Sequence, residues 1–285
     1  MKRIAIAAKV SSPDALSYVS DVVNGLRARG LEVVVDVHTA GALEMGAAPV
    51  FEKEHLGANA DLLITFGGDG TLLSVARHAP RNVPIIGVNM GTLGFLTEVR
   101  LEQFPAVLEQ VLAGHYKTEP RVCFDVTVES DSLSGRYRVL NDAVINKGAL
   151  ARIVEMRVEV SNHFVSTFRA DGLIVSTPTG STAYNLSAGG PIVYPTMGAI
   201  IITPICPHML TNRPIVLPDD MTIRISIIAE HKETFLTLDG QEGVPIKRGD
   251  TVTIQKSSDT VLFVQSPDKD YFDVLRKKLR WGEGS

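Results

Sequence analysis

The hydrophobic positions at the start of the chain alternate between short continuous runs and a helical period. Residues 1–8 and 31–36 are apolar or β-branched runs of strand length, and each is too short to be a helix of ordinary size. Between them, residues 13–30 place their apolar side chains on one helical face, with Pro13 at the first helical position and Gly30 at the end. This order of strand, helix and strand predicts a parallel sheet with crossover helices.

The same pattern continues up to about residue 112. Residues 61–79 predict a strand, a glycine turn and a helix, and residues 84–88 predict a further buried strand that ends in a second glycine-rich turn, 89–95. Loops at the carboxyl ends of neighbouring parallel strands share a crevice, so the two turns are predicted to face one ligand. Residues 101–112 predict one more helix, whereas the conflicting signals of residues 38–57 leave that stretch unassigned.

Beyond residue 117 the hydrophobic period becomes that of strands. Short strands are predicted at 122–128, 153–160, 164–168, 173–176, 223–228, 235–238, 252–254 and 261–264, and Tyr137, Val139 and later Val144 continue the strand-like pattern. A last helix is predicted at 271–279, and a lone helix gains little on a β domain, so we expect it to return to the first domain.

These elements predict an α/β plus all-β fold of two domains. Residues 1–117 form a Rossmann-like parallel α/β domain, residues 118–265 form a β-rich, sandwich-like domain, and residues 266–285 form a segment that packs back on the first domain. A chain of 285 residues with 45% hydrophobic composition has enough apolar material for both cores.

Charge and cysteine content narrow the classes of ligand. The 28 basic residues nearly balance the 32 acidic ones without forming a long run, which argues against nucleic acid and favours small ligands. Cys123 and Cys206 lack the spacing of a zinc site or a disulfide framework, so a reducing cytoplasm is expected. The apolar runs at 1–8 and 200–205 are too short for a signal peptide or a membrane span, and no membrane partner is expected.

The first candidate for chemistry is Gly-Gly-Asp-Gly-Thr at residues 67–71, between a predicted strand and a predicted helix. Such a turn directs backbone N–H groups at an anion, but the carboxylate of Asp69 repels phosphate and suits a hydroxyl acceptor. The glycine turn and the carboxylate of Asp69 together indicate phosphoryl transfer. The motif is not a P-loop, because it lacks the pattern Gly-x-x-x-x-Gly-Lys-Ser/Thr. It is not a Rossmann fingerprint either, because Leu73 stands where the third glycine of the fingerprint would fall. The alternative is a tight turn in which Asp69 only caps the helix.

Two further stretches carry polar groups in unusual density. Asn141 and Asp142 are adjacent inside a strand-like run, where neighbouring side chains point to opposite faces, so that one can read a ligand. Residues 169–191 are rich in hydroxyls and small side chains, and Tyr184 is their aromatic able to stack on a base. The alternative for Asn141 and Asp142 is a turn at the edge of a strand. The alternative for residues 169–191 is a plain Ser/Gly-rich loop.

With these three stretches the chain resembles the NAD kinase family over nearly its whole length, in the bacterial form. The wider superfamily includes diacylglycerol and sphingosine kinases and 6-phosphofructokinases, which share the Gly-Gly-Asp-Gly turn. The run Thr-Pro-Thr-Gly-Ser-Thr-Ala-Tyr at residues 177–184 is close to the NAD kinase pattern and is not expected in lipid kinases. The resemblance implies transfer of the γ-phosphoryl group of ATP to the 2′-hydroxyl of the adenosine ribose of NAD, giving NADP.

The resemblance also implies roles for individual residues. Asp69 would be the general base, and Gly68 and Gly70 would offer N–H groups to the donor phosphates. Asn141 and Asp142 would grip adenosine, although the family usually has Glu at the second position and Asp142 is one methylene shorter. The expected pocket-lining residues are Thr182, Ala183, Tyr184, Asn185, Leu186 and Ser187, with Arg169 and Asp171 nearby.

Two more positions align with ligand-contacting positions of the family. The alternative for Arg152 is that it is only a solvated residue of a strand. Gln241 follows the hairpin dipeptide Asp239-Gly240, and its alternative is that it belongs only to a plain turn. His208 receives no catalytic role, because a lone histidine is more often a loop or core residue.

The expected cofactor is Mg²⁺, or another divalent metal, bound to ATP, and NAD is a substrate. No dedicated metal-binding cluster is visible in the sequence. The resemblance further implies a homodimer or a homotetramer that takes part in NADP biosynthesis. The alternatives are a lipid kinase, a sugar kinase of the same superfamily, and a non-catalytic sensor that binds NAD or NADP.

Overall fold

A computed structural model describes residues 1–9, 13–43, 49–130, 134–148, 153–209, 211–229, 234–266 and 271–282. Two compact units make up the chain. The first consists of Met1–Pro120 together with Val261–Ser285, and the second of Arg121–Thr260. The fold is mixed, with a parallel sheet in the first unit and antiparallel sheets in the second, as the sequence predicts.

The elements follow one another along the chain in a regular order. The strands are β1 (Arg3–Ala8), β2 (Glu32–Asp36), β3 (Val50–Phe51), β4 (Leu62–Gly67), β5 (Pro84–Asn89), β6 (Val99–Arg100), β7 (Thr118–Glu129), β8 (Gly135–Val139), β9 (Asp142–Lys147), β10 (Val154–Val160), β11 (His163–Ala170), β12 (Gly172–Ser176), β13 (Ala199–Ile205), β14 (Ile215–Pro218), β15 (Ile223–Ala229), β16 (Thr234–Leu238), β17 (Glu242–Ile246) and β18 (Thr251–Val264). The helices are α1 (Pro13–Ala28), α2 (Val37–Ala42), α3 (Lys53–Leu56), α4 (Asp69–Ala76), α5 (Phe104–Leu112), α6 (Tyr184–Ser187) and α7 (Tyr271–Leu279).

The sheet of the first unit has the parallel order β3-β2-β1-β4-β5. Its strand order reverses between β1 and β4, and a crevice opens at the carboxyl ends of strands at such a point. Strand β4 ends at Gly67. The turn at residues 67–71 therefore lies where an α/β sheet binds its ligand.

Burial on both faces explains the continuous apolar runs of the central strands. Every residue of β4 and β5 is buried, which is the pattern of parallel strands covered by helices on each side. Phe66, at the end of β4, packs edge-to-face against Phe104 of α5 with ring centroids 5.1 Å apart. This contact fixes the strand that carries the glycine turn.

The second unit contains two antiparallel layers. One sheet has the order β14-β13-β12-β9-β16-β17, and the other layer contains β11-β10-β15-β18 with the β7-β8 hairpin. Side chains from both layers, including Phe124, Met156, Leu173 and Ile225, form one core cluster. Burial alternates along β10, as expected for a strand with one face on that core. The predicted β-rich, sandwich-like arrangement is confirmed.

The strand prediction differs from the structure in several places. Residues 252–254 and 261–264 belong to one strand, β18, because the polar side chains between them pair across strands; Asp259 accepts a 3.0 Å hydrogen bond from Arg138. Strands β14 and β17 were not predicted, and both contain proline, which edge strands such as these tolerate. Helix α3, and all of α2 except its first residue Val37, lie within the unassigned residues 38–57, of which 44–48 are outside the described residues.

The predicted C-terminal helix is present as α7, Tyr271–Leu279. It belongs to the first unit, where the ammonium of Lys278 lies 5.7 Å from the ring centroid of Phe95. Within the described ranges, no helix combines the length and the apolar character needed to cross a membrane.

Candidate active site

Asp69 connects the two glycine turns of the first unit. It is the first residue of α4, and its carboxylate accepts hydrogen bonds from residues 95–97. Oδ2 accepts from the N–H of Phe95 at 2.8 Å, and Oδ1 accepts from the N–H groups of Leu96 at 3.1 Å and Thr97 at 2.9 Å. Oδ1 also accepts from the Thr97 hydroxyl at 3.0 Å. The alternative in which Asp69 only caps its helix is therefore wrong.

The second glycine turn is shaped around this carboxylate. A Cβ at Gly94 would lie 2.0 Å from Oδ1 of Asp69, so only glycine fits there. Asn89, the last residue of β5, donates from Nδ2 to Thr97 Oγ1 at 2.8 Å and accepts at Oδ1 from the N–H of Gly91 at 2.8 Å. Sequence reasoning placed Asn89 in the turn but gave no role to Asn89 or Thr97.

The start of α4 is accessible. Gly68 and Gly70 are exposed, and Gly68 is the N-cap residue of the helix. The first N–H groups of a helix point outward along its axis at this end, where the helix dipole favours negative charge. The arrangement can receive a phosphate group next to the carboxylate of Asp69.

In the second unit, the carbonyl groups before Asp142 are held by the hydroxyl-rich stretch. Thr177 donates from Oγ1 to the Leu140 carbonyl at 2.6 Å and from its N–H to the Asn141 carbonyl at 2.9 Å. A Cβ at Gly180 would lie 2.2 Å from the Asn141 carbonyl oxygen. The run at 177–184 thus fixes the backbone of the Asn141-Asp142 pair.

The N–H groups of the same segment are held by Asp239. Its Oδ1 accepts from the N–H of Asn141 at 2.7 Å and from those of Leu140 and Asp142 at 3.1 Å each. Asp239 lies in the β16-β17 turn with a φ of 50°, and its N–H donates to the Asp142 carbonyl at 2.9 Å. Sequence reasoning recognised the Asp-Gly hairpin dipeptide but assigned no function to its carboxylate.

These residues line a cavity of about 310 Å³ in the second unit. The lining residues are Asn141, Asp142, Val144, Asn146, Ala183, Tyr184, Thr237, Asp239 and Gly240. Burial raises the pKa of the Asp142 carboxyl to about 7, and the negative charge of Asp239 acts in the same direction. Oδ1 of Asn141 is buried and has no hydrogen-bond partner among the described residues.

Asn141, Asp142, Ala183 and Tyr184 are thus the members of the predicted set that the structure brings together around this cavity. The other predicted members of the second unit within the described ranges are not among its lining residues; these are Arg169, Asp171, Thr182, Asn185, Leu186, Ser187 and Gln241. Arg152 is outside the described residues.

Three of the predicted side chains that do not line the cavity bind other groups of the protein. Arg169 pairs with Glu155 at 2.9 Å, and Asp171 pairs with Lys147 at 2.9 Å. Asn185 is fully buried and donates from Nδ2 to the carbonyls of Ser181 and Pro191, so its amide shapes the loop.

The described part of the chain contains no group of three or more His, Cys, Asp or Glu side chains that could hold a metal ion.

Both halves of the chain match known protein families. The family model for the ATP-NAD kinase N-terminal domain matches residues 4–116, and the one for the ATP-NAD kinase C-terminal domain matches residues 140–266. Among curated relatives, the NAD kinase of Trichlorobacter lovleyi is 50% identical and that of Geotalea daltonii is 49% identical. Each alignment covers 99% of this chain and 100% of the relative.

Solved structures show the same similarity. A yeast NADH kinase complexed with NADH superimposes with a TM-score of 0.90 at 25% identity, over 100% of this chain and 89% of that one. An NAD kinase from Archaeoglobus fulgidus in complex with ATP superimposes with a TM-score of 0.75 at 27% identity, over 98% of each chain.

The fold, the glycine turn at the switch point and these matches define a kinase, an enzyme that transfers a phosphoryl group. The chain belongs to the NAD kinase family. The lipid kinase, sugar kinase and sensor alternatives are not favoured by the matches.

Proposed function

We propose that this protein transfers the γ-phosphoryl group of ATP to the 2′-hydroxyl of the adenosine ribose of NAD, with Asp69 as the residue that handles the hydroxyl. Family membership supports the reaction. The observation that carries the role of Asp69 is the position of its carboxylate, at the start of α4 and at the switch point of the parallel sheet.

The hydrogen bonds of Asp69 indicate which oxygen acts. Oδ1 accepts three hydrogen bonds, whereas Oδ2 accepts one from a described residue, the N–H of Phe95. A carboxylate oxygen has about two lone-pair positions, so Oδ2 retains one for the 2′-hydroxyl. A carboxylate is a weak base toward an alcohol, so proton transfer comes late and orientation of the hydroxyl is the larger contribution of Asp69.

The donor phosphates would bind at the start of α4, next to Gly68 and Gly70. Mg²⁺ would enter with ATP and be held mainly by phosphate oxygens and water, since Mg²⁺ often takes few protein ligands.

The cavity of the second unit is the proposed binding region for the dinucleotide. Asn141 and Asp142 would contact the adenosine part, and Tyr184, which is 44% exposed, offers its ring for stacking on a base. The remaining predicted residues of the second unit belong to the proposal as residues of the binding region, with Asn185 acting through the loop that its buried amide shapes; they are Arg152, Arg169, Asp171, Thr182, Ala183, Asn185, Leu186, Ser187 and Gln241.

The test incubates purified protein with NAD, ATP and Mg²⁺ and measures NADP with an NADP-specific dehydrogenase. NADP should form only when NAD and ATP are both present, and parallel reactions with NADH or polyphosphate would define the acceptor and the donor. A folded protein that binds NAD but forms no NADP would be a sensor, and the proposal would be wrong.

Assembly as a homodimer or homotetramer in the cytoplasm is also part of the proposal. Phe164 and Val165 are exposed on β11, which is the edge strand of its sheet, and exposed apolar side chains of this kind favour association. Both cysteines are free thiols, which suits a reducing compartment. Sedimentation that shows a fully active monomer would contradict the assembly.

A further inference from the structure

Two buried carboxyl groups from separate elements line the cavity of the second unit. Asp142 begins β9 and is 4% exposed, and Asp239 lies in the β16-β17 turn and is 6% exposed. Two hydrogen bonds join them, because Asp142 donates its N–H to Oδ1 of Asp239 and Asp239 donates its N–H to the carbonyl of Asp142. Two like charges in such a place are unfavourable, so one carboxyl group should hold a proton.

The hydrogen bonds identify the one that does. The carboxylate of Asp239 accepts from three backbone N–H groups, those of Leu140, Asn141 and Asp142, and such donors favour the charged form. The carboxyl group of Asp142 accepts no hydrogen bond from any residue in the described ranges, and burial raises its pKa to about 7. Below about pH 7 the charge therefore stays on Asp239 and the proton on Asp142.

We propose that Asp239 is a positioning residue that keeps Asp142 protonated, so that Asp142 presents an O–H donor to an acceptor atom of the nucleoside bound in the cavity. The acceptor is a lone pair on a ribose oxygen or on a ring nitrogen. The inference rests on the proposed function, since it concerns the same dinucleotide site. Gly180 and Thr177 complete the positioning of residues 140–142. They contact the carbonyl groups of this segment, whereas Asp239 binds its N–H groups.

The other charged groups around Asp142 do not remove this effect. Lys147, at the far end of β9, pairs with Asp171, which precedes β12. Glu242 begins β17 and is exposed to solvent, where its charge is screened. Tyr184 adds a phenol to the lining. Ser176 faces Asp142 across the β9-β12 ladder, but its hydroxyl donates to the carbonyls of Thr177 and Asn141.

A donor on Asp142 makes NAD binding depend on pH in a defined direction. The donor is present below the pKa of Asp142 and is lost above it, so affinity should be constant at low pH and should fall as pH rises. Calorimetric titration with NAD from about pH 5.5 to about pH 8.5 should show a loss that approaches about tenfold per pH unit at the alkaline end. Affinity that is constant across this range, or that rises with pH, would overturn the inference.

Two substitutions separate the role of Asp142 as the donor from the role of Asp239, which keeps Asp142 protonated. Asp142→Asn carries an amide donor at every pH, so its NAD affinity should lose the pH dependence. Asp239→Asn keeps an oxygen acceptor and tolerates the positive φ, but it removes the negative charge, so the loss of affinity should begin at lower pH. Near neutral pH this variant should have a higher KM for NAD, with kcat changed by less than about twofold.

Asp250→Asn is the matched control. Asp250 is also a buried aspartate in a turn, where it accepts from the N–H of Lys247 at 2.9 Å, but it does not line the cavity. This variant should keep the wild-type pH profile. The same pH profile in Asp239→Asn as in the control would overturn the role of Asp239, and if Asp239→Asn does not fold, the profiles of wild type and Asp142→Asn decide the inference.

A readout without substrate distinguishes this inference from the proposed function. The infrared spectrum of the ligand-free protein near neutral pH should contain a protonated carboxyl band that is missing in Asp142→Asn and weaker in Asp239→Asn. The absence of that band in wild type would contradict the inference, even in an active kinase. A present band in a protein that makes no NADP would instead overturn the proposed reaction, and a band with no NAD binding at any pH would overturn both.

Discussion

The hydroxyl of Thr97 donates a 3.0 Å hydrogen bond to Oδ1 of Asp69 and accepts a 2.8 Å hydrogen bond from Nδ2 of Asn89. A hydroxyl has one proton, so the amide of Asn89 fixes the direction in which Thr97 donates. This chain of hydrogen bonds joins the end of β5 to the first residue of α4. The carboxylate of Asp69 is therefore held in one orientation before any substrate binds.

Removal of the Thr97 hydroxyl should loosen that orientation. Thr97→Val keeps the shape of the side chain and loses one hydrogen bond worth about 1 kcal/mol, so kcat should fall about fivefold while the KM for NAD changes little. Thr97→Ser should restore most of the activity. Thr65→Val is a matched control, because Thr65 is also fully buried and its hydroxyl has no partner among the described residues. Equal losses in both valine variants would contradict a positioning role.

Asp69→Asn should separate catalysis from binding. We expect kcat to fall by ~10² or more, whereas the affinity for NAD should stay within about an order of magnitude. The variant should also unfold more easily, by ~2 kcal/mol, because an amide cannot accept at both oxygen positions from the N–H groups of residues 95–97. Urea unfolding and NAD titration measure the two effects, with Asp21→Asn on the exposed face of α1 as control. An equal loss of NAD affinity would make Asp69 a ligand-binding residue instead.

Gly94→Ala should reproduce much of the Asp69 defect without changing the carboxylate. The added methyl group would lie 2.0 Å from Oδ1 of Asp69, so either the carboxylate or the turn must move, at a cost of about 1–3 kcal/mol. Gly91→Ala is the control in the same turn, since a Cβ there meets no heavy atom within 4 Å. Steady-state assays should show a fall in kcat for Gly94→Ala only, and similar kinetics for both variants would show that the close contact has no catalytic importance.

The sequence predicts the fold well where one local signal decides it. The strands around the glycine turn are continuous apolar runs because helices cover both faces of the sheet, and the bounds of α7 follow directly from its period. Prediction fails for β18, whose polar centre resembles a turn. Its extended conformation depends on partners such as Arg138, 121 positions away from Asp259, and no local pattern carries that information.

The site shows the same limit. Asp69, Asn141 and Asp142 can be found because each stands out within a short motif, but the groups that hold them cannot. Thr97 is 28 positions from Asp69, and Asp239 is 98 positions from Asn141. The Asp-Gly dipeptide at Asp239 predicts a hairpin, which is present, and gives no indication that its carboxylate binds three N–H groups of another strand.

The pKa of Asp142 also predicts how stability depends on pH. Because the folded-state pKa of Asp142 is raised to about 7 from its ordinary value of 3.8, deprotonation favours the unfolded chain. The contribution of a protonated Asp142 to the free energy of unfolding is fully present below about pH 4 and is lost as pH rises through about 7. The loss amounts to as much as ~4 kcal/mol. Asp142→Asn cannot lose a proton, so urea unfolding should show it gaining stability relative to wild type between about pH 4 and about pH 8. A difference between the two proteins that is constant over this range would mean that Asp142 is ionised throughout, and that its neighbour Asp239 does not control it.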